Sequence, residues 1–443
     1  MKKLLLLAWP IVISRSAQAV IGLADGLMTA HLGEASLAAV SAGSLNAFAA
    51  LILPMGIVFI VSSFSSQLAG RGEGAGARRY GWYGLIVAGL AQLAMLSFIL
   101  LLPRFLGFFA YSPEVESLML TYLSIRLLST GFAVGVEALG NYYGGLGNTG
   151  IGMRANLAAM FLNIFFNWLL IDGHWGFPAM GAAGAAWGSV LATAGAFGYL
   201  LASFILEGRS AEATPLRREE FFRMLRYGVP AGFNWAFEFY AIIAFINIVV
   251  ASLGTSSLAA LMAVFQINAV AFMPAFALAS AGAILVGQSI GEGRKDEVAP
   301  IVATTFKASA GWTGLAALAY LAITRILLAP FVSPDSDGTF LQVGAAMLMM
   351  SALWQAFDSA GMTFTEALRA AGDTSFPMWT RGFLAWGFFL PGSWIAVKSL
   401  GGTEIAAMAF LLGYLGLLAV VLLWRFRGGA WRSIELVEPV PAE

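Results

Sequence analysis

The sequence predicts an all-α membrane protein of twelve transmembrane helices in two pseudo-symmetric six-helix lobes. Three observations predict it. Of 443 residues, 59% are hydrophobic and only 11% are charged, with a mean hydropathy of +0.82. Soluble domains carry about 25% charged residues, so this chain cannot cover a globule with polar surface, and lipid must be its main solvent. Apolar runs of the roughly 20 residues that cross hydrocarbon recur along its whole length. Its second half also repeats its first. Strands are excluded, because an open sheet cannot sit in lipid and the alternating pattern of a barrel is missing.

The first run, "MKKLLLLAWPIVISRSAQAV", has the lysines and leucines of a signal peptide. Its apolar stretch nevertheless continues through Pro10 to about Leu32 without a convincing cleavage site, so it reads as a helix that stays. Spans follow near 4–31, 36–64, 80–103, 117–143, 151–171, 181–206, 224–252, 257–288, 300–329, 340–368, 376–398 and 404–424. The polar stretch "EGRSAEATPLRREEFFRMLR" (207–226) divides them six and six. This predicts an N-terminal lobe over 1–206, a cytoplasmic linker over 207–223, a C-terminal lobe over 224–428 and a cytoplasmic tail over 429–443.

With the N-terminus inside, nineteen of the 24 lysines and arginines fall on the cytoplasmic side, Arg209, Arg369 and Arg381 among them. Arg104, Arg325 and Lys398 fall outside, while Arg15 and Arg126 lie within spans. That bias predicts that both termini are cytoplasmic. Acidic and basic residues balance at 24 each, so no charge excess suggests nucleic acid. Cysteine is absent, which rules out disulfides and thiol chemistry.

The repeat is visible in short matches. "QLAGRG" (67–72) returns as "QSIGEG" (288–293), and "LG…LAA" (32–39) as "LG…LAA" (253–260), both 221 residues on. Pro10 and Pro54 return as Pro230 and Pro274, and "GNT" (147–149) as "GDT" (372–374). Several matches in order at offsets of 220 to 225 indicate an internal repeat. Six helices per half preserve orientation, so the repeats are parallel, an arrangement common in secondary transporters.

Glu238 is the only charge in "GVPAGFNWAFEFYAIIAFINIVV" (228–250), and Asp358 is similarly central in "LMMSALWQAFDSAGMTFTEAL". An ionised carboxylate in hydrocarbon costs at least a few kcal/mol and by default marks function. Each is therefore expected to hold a proton or a bound cation. The plainer reading, neutral acids tying helices together, competes with this. Glu366 lies eight residues beyond Asp358 on roughly the same face. Glu137 reads as a packing anchor. Asp25 either pairs with Arg126 or binds a cation, and Arg15 lines a polar cavity or pairs across helices. The glycine-rich "GNYYGGLGNTG" (140–150) follows a helix rather than a strand, so it is no phosphate loop. His31 and His174 sit at outer helix ends without metal-ligand spacing.

Four segments resemble the multidrug and toxic compound extrusion (MATE) family, in collinear order across nearly the whole chain. They are "GLADGLMTAHLGEASLAAVS" (22–41), "NIFFNWLLIDGHWGFPAMGAAGAAWGS" (163–189), "GVPAGFNWAFE" (228–238) and "FDSAGMTFTEALRAAGDT" (357–374). The resemblance implies two lobes that rock between outward- and inward-open states, exporting cationic or amphiphilic drugs in exchange for Na⁺ or H⁺. In the NorM-like branch, a helix-seven glutamate and a helix-ten aspartate form the C-lobe cation site, matched here by Glu238 and Asp358, where Na⁺ would bind. Beside that site Trp354 stands where some relatives carry a tyrosine ligand. Glu366, for which no family counterpart is recognised, is expected to join the cation site by adding a charge to the cavity floor. Asp25 and Asn163 match an N-lobe pair, and Asn167 replaces a second aspartate.

A monomer in the bacterial inner membrane is expected, with lipid around it and no cofactor. A flippase for lipids or lipid-linked oligosaccharides is the alternative, but it should gather arginine and lysine in its cavity. Five intramembrane acids against two arginines favour cationic cargo. An intramembrane enzyme using Glu238 and Asp358 would not need a repeat spanning the chain.

Overall fold

Hydrocarbon leaves no backbone amide a water partner, and this chain meets that constraint with helices. The computed structural model describes residues 1–107, 112–208, 215–332 and 338–438, and no strand occurs among them. The first half contains α1 (Lys2–Thr29), α2 (Glu34–Val58), α3 (Ile60–Gly70), α4 (Gly74–Ile99), α5 (Leu102–Leu106), α6 (Pro113–Leu127), α7 (Thr130–Gly145), α8 (Thr149–Ile171) and α9 (Ala182–Glu207). The second contains α10 (Arg218–Ala244), α11 (Thr255–Gly291), α12 (Val298–Ala322), α13 (Thr324–Leu328), α14 (Thr339–Ala371), α15 (Ser375–Phe383), α16 (Leu390–Trp394) and α17 (Glu404–Arg427).

Among the described residues nine helices are long and apolar enough to span a membrane, or eleven when two bent pairs each count as one. The span expected at 376–398 is the twelfth. It is helical throughout, but it passes from α15 through a π segment (Leu384–Phe389) into α16 and a second π segment (Ile395–Ser399). Pro391 explains the first widening: it has no N–H to give, and its ring clashes with the carbonyl four residues back, at Gly387. Large apolar side chains such as Leu93, Phe161, Val270, Leu318 and Val420 point outward, as lipid requires.

The span expected over 117–143 is bent by 46° between α6 and α7. Gln92 of α4 satisfies the backbone exposed there. Its Oε1 accepts from the Gly131 N–H at 2.8 Å, and its Nε2 donates to the Leu127 carbonyl at 3.3 Å. Ser129 and Thr130 return their own hydroxyls to Arg126 and Leu127 carbonyls, each at 2.8 Å. Gln92→Ala is expected to leave the Gly131 N–H unpaired, with the Leu127 carbonyl still held by Thr130, and to destabilise the protein by about 1–3 kcal/mol. Thermal unfolding in detergent measures this, and an unchanged midpoint would refute it. The second bend, 91°, separates α12 from α13 at Ile323.

The repeat is also written in the backbone. Gly33 and Gly254, 221 residues apart, enter α2 and α11 with φ of 102° and 112°. Gly72 and Gly293 have the same spacing and share a φ of 78°. A side chain at any of these angles is strained, so glycine recurs where the turn recurs.

The chain divides into two compact units, Trp9–Gly232, and Phe233–Glu443 with Met1–Ala8. In the first, α8 packs along α9 and α4 along α7; in the second, α14 packs against α11, α12 and α17. Arg209, part of the linker expected at 207–223 and the end of the tail expected at 429–443 lie outside the described residues. The linker residues nearest α10 are held to α4. Glu220 accepts from Arg79 Nε and Nη2, each at 2.7 Å, and from the Tyr83 hydroxyl at 2.9 Å, and that hydroxyl accepts from the Arg217 N–H. The described part of the tail packs rather than hangs free. Trp431 and Leu436 are buried, and Lys295 donates to the Arg432 carbonyl at 2.7 Å.

Candidate functional site

Two polar clusters sit inside otherwise apolar packing, one in each unit. In the first unit α1 carries Asp25, which is 4% exposed. Asn163 and Asn167 are one turn apart on α8 and so share a face. Their Nδ2 atoms donate to Asp25 Oδ1 at 3.0 and 2.6 Å, and Ser189 of α9 donates to Oδ2 at 3.0 Å. Asn163 also donates to the Ser189 hydroxyl at 3.1 Å. The carboxylate thus rests on neutral donors, and the Asp25–Arg126 ion pair weighed from the sequence does not form; the Arg126 Nε is itself buried without a partner. The Asn167 Oδ1 is likewise buried and unpartnered, an electron-rich oxygen beside a buried anion. The Asn167 Oδ1 and the remaining lone pairs of the Asp25 carboxylate are the oxygens this cluster has left for a small hard cation or a proton.

Arg15 takes its cross-helix role. It reaches Glu137 of α7 with two nitrogens, at 2.8 and 3.1 Å, and Gln18 and Asn156 extend the network. Glu137 is accordingly an anchor between α1 and α7. Of the histidines, His31 meets Asp172 at 2.8 Å and His174 stacks on Trp168 with ring centres 4.3 Å apart.

In the second unit α10 carries Glu238, whose side chain keeps 22% exposure. Arg381 of α15 pairs with its Oε2, and the Tyr414 hydroxyl of α17 donates to its Oε1 at 3.0 Å. Tyr414 is held in place by stacking on Phe389, which in turn packs on Phe245. Arg381 also extends toward the Thr365 hydroxyl at 3.4 Å. Asp358 is half-buried and stands within electrostatic reach of both Glu238 and Arg381. Among the described residues it accepts no hydrogen bond and forms no ion pair. Glu366 pairs with Arg369 one turn on, Nη2 to Oε2 at 2.5 Å. Trp354 is buried in the apolar cluster of this unit. Among the described residues no three His, Cys, Asp or Glu gather as a metal centre would require.

The structure therefore brings Asp25, Asn163 and Asn167 together, and separately Glu238 and Asp358. It also shows the surroundings of two basic residues. Arg369 and Arg381, counted from the sequence with the cytoplasmic charges, are 7% and 5% exposed and face carboxylates. A long basic side chain near a span end ordinarily snorkels to water, and only packing shows that these turn inward. Ser189 and Tyr414 were also missed. Tyr414 had a signal, being the one side chain with an oxygen or nitrogen in "AMAFLLGYLGLLAVVLL" (407–423), and it supplies a phenol that position 354 does not.

Comparison with known proteins agrees with this fold. The MatE family model matches residues 10–169 and 230–395, two segments that begin 220 residues apart like Pro10 and Pro230. The chain is 28% identical to a probable multidrug resistance protein NorM of Neisseria meningitidis serogroup A, covering 94% of this chain and 92% of that one. It is 27% identical to the multidrug resistance protein PmpM of Pseudomonas aeruginosa, over 91% and 84%. A solved MOP superfamily transporter from Pyrococcus furiosus shares the fold with a TM-score of 0.88 at 18% identity, over 98% of this chain and 97% of that one. An outward-facing multidrug resistance MATE family transporter gives 0.84 at 19%, with the same coverage. With its family model matched in both halves and its helices laid out as in these transporters, the chain belongs to the multidrug and toxic compound extrusion family, MatE.

Proposed function

We propose that this protein is a cation-coupled multidrug efflux antiporter of the bacterial inner membrane, with both termini cytoplasmic. It exports cationic or amphiphilic compounds by alternating access in exchange for Na⁺ or H⁺. Glu238 and Asp358 form the coupling cluster of the C-terminal half, and Asp25 with Asn163, Asn167 and Ser189 the candidate cluster of the N-terminal half. Family membership supports the transport class, and the names of the NorM and PmpM relatives support the cargo.

One observation carries the assignment of Asp25 and Asp358, and Glu238 joins the cluster through its nearness to Asp358. Of the five intramembrane acids, Glu137, Glu238 and Glu366 have arginine partners, while Asp25 and Asp358 have none among the described residues. Unmatched carboxylates at membrane depth attract positive charge, which favours cationic cargo and a coupling cation over the pyrophosphate of a flippase substrate. Glu366, matched within its own helix, is assigned to the fold rather than to ion binding.

The test is transport in proteoliposomes, with a cationic dye as cargo and Na⁺ or H⁺ gradients imposed one at a time. Uphill dye movement driven by one of them is expected, and the driving gradient identifies the ion. Dye that only equilibrates under both gradients would overturn the antiporter reading.

A further inference from the structure

The polar cluster of the C-terminal unit holds more than two carboxylates. Glu238 on α10, Asp358 on α14, Arg381 on α15 and the Tyr414 hydroxyl on α17 converge there, with the Glu366–Arg369 pair alongside. Formal charges can be matched pair by pair. Glu366 cancels Arg369 and Glu238 cancels Arg381, so Asp358 alone is left over.

The two coupling carboxylates are therefore not equivalent. Both oxygens of Glu238 are engaged, Oε2 by the guanidinium and Oε1 by the phenol. A hard cation seeks several oxygen ligands at once, and at Glu238 it would meet a positive charge already in contact. At low effective dielectric that repulsion is strong. Asp358 has both oxygens uncommitted among the described residues. Arg381, for its part, is not fully tied down: its Nε is buried with no partner, and its contact to Thr365 is long at 3.4 Å.

We propose that Arg381 is the resident counter-cation of Glu238, so that this cluster accepts one coupling charge, at Asp358, and Glu238 serves as the positioning residue for Arg381. The proposal rests on the antiporter reading and divides its labour. With Asp358 empty, the guanidinium is drawn by two anions; with Asp358 occupied, it is drawn by Glu238 alone. Occupancy of Asp358 thereby biases where the α15 side chain rests, and α15 is the start of the span that the π segments interrupt.

The experiment is a charge-pair swap in the full-length protein, assayed as uphill cationic-dye efflux in proteoliposomes. Glu238→Gln strands the guanidinium, and Arg381→Gln leaves two acids facing each other. Each single variant is expected to run about tenfold or more below wild type, whereas Glu238→Gln/Arg381→Gln keeps the single net negative charge and should return to within about threefold. A double variant no faster than the slower single one overturns the proposal. If the singles do not fold, as read from yield and thermal unfolding, the double is compared directly with wild type, and a loss beyond about tenfold overturns it. Asp358→Asn separates the two failures. Uphill efflux surviving in Asp358→Asn removes Asp358 as the coupling site and overturns the proposal, and wild-type protein that only equilibrates dye removes the antiporter reading itself. Loss in Asp358→Asn beside an unrescued double removes only the pairing of Glu238 with Arg381.

Discussion

Asp358→Asn is expected to abolish uphill efflux while leaving a folded, membrane-inserted protein. The substitution keeps the size of the side chain and removes the one charge of the C-terminal cluster that lacks a partner. No hydrogen bond among the described residues is broken, so little stability is at stake. What is lost is the coupling free energy between ion and cargo. Without that term neither ligand can drive the other, and the dye accumulation ratio should fall to about one, whatever the imposed gradient. Downhill exchange of dye can persist, because binding of cargo does not by itself require the carboxylate. An accumulation ratio equal to wild type, in protein of normal thermal stability, would remove Asp358 from the mechanism.

Glu366→Leu is expected to act in the opposite way, through folding rather than coupling. Its carboxylate and the Arg369 guanidinium are both nearly dry, with side chains 4% and 8% exposed. Removing one member of such a pair leaves an uncompensated buried charge, at a cost of about 3–5 kcal/mol. Replacing both with apolar residues of similar size, Glu366→Leu with Arg369→Met, should recover a good part of that loss, since neither charge is then stranded. The readout is the thermal midpoint in detergent together with the yield of monodisperse protein. A single variant with a wild-type midpoint would show that Glu366 is not held as the structure places it. A variant that is stable but uncoupled would return Glu366 to the ion site.

Sequence reasoning read helices well and their interruptions poorly. The twelve expected spans all fall on helical segments, because the need to pair every amide in lipid makes apolar length almost sufficient evidence. The 46° break after α6 escaped it, because Gln92, the residue that satisfies that break, lies on another helix. The interruption before Pro391 had a signal in the proline itself. At the clusters the pattern is similar. Glu238, Asp358 and Asp25 stood out because a carboxylate in an apolar run is conspicuous. Ser189 did not, since a serine in "AAWGSVLATAG" is unremarkable until α9 packs on α8. The burial of Arg369 and Arg381 left no mark either, because a basic residue near a span end looks the same whether it faces water or protein.

By itself the sequence determined the solvent, the helical class, the repeat and the costly acids, since each depends on residue type and spacing along one chain. Which acids have a partner was decided only by the tertiary structure. An arginine several helices away cancels Glu238, and none cancels Asp358 among the described residues. Electrostatic energy depends on distances in space, and packing sets those distances between residues that the chain keeps far apart.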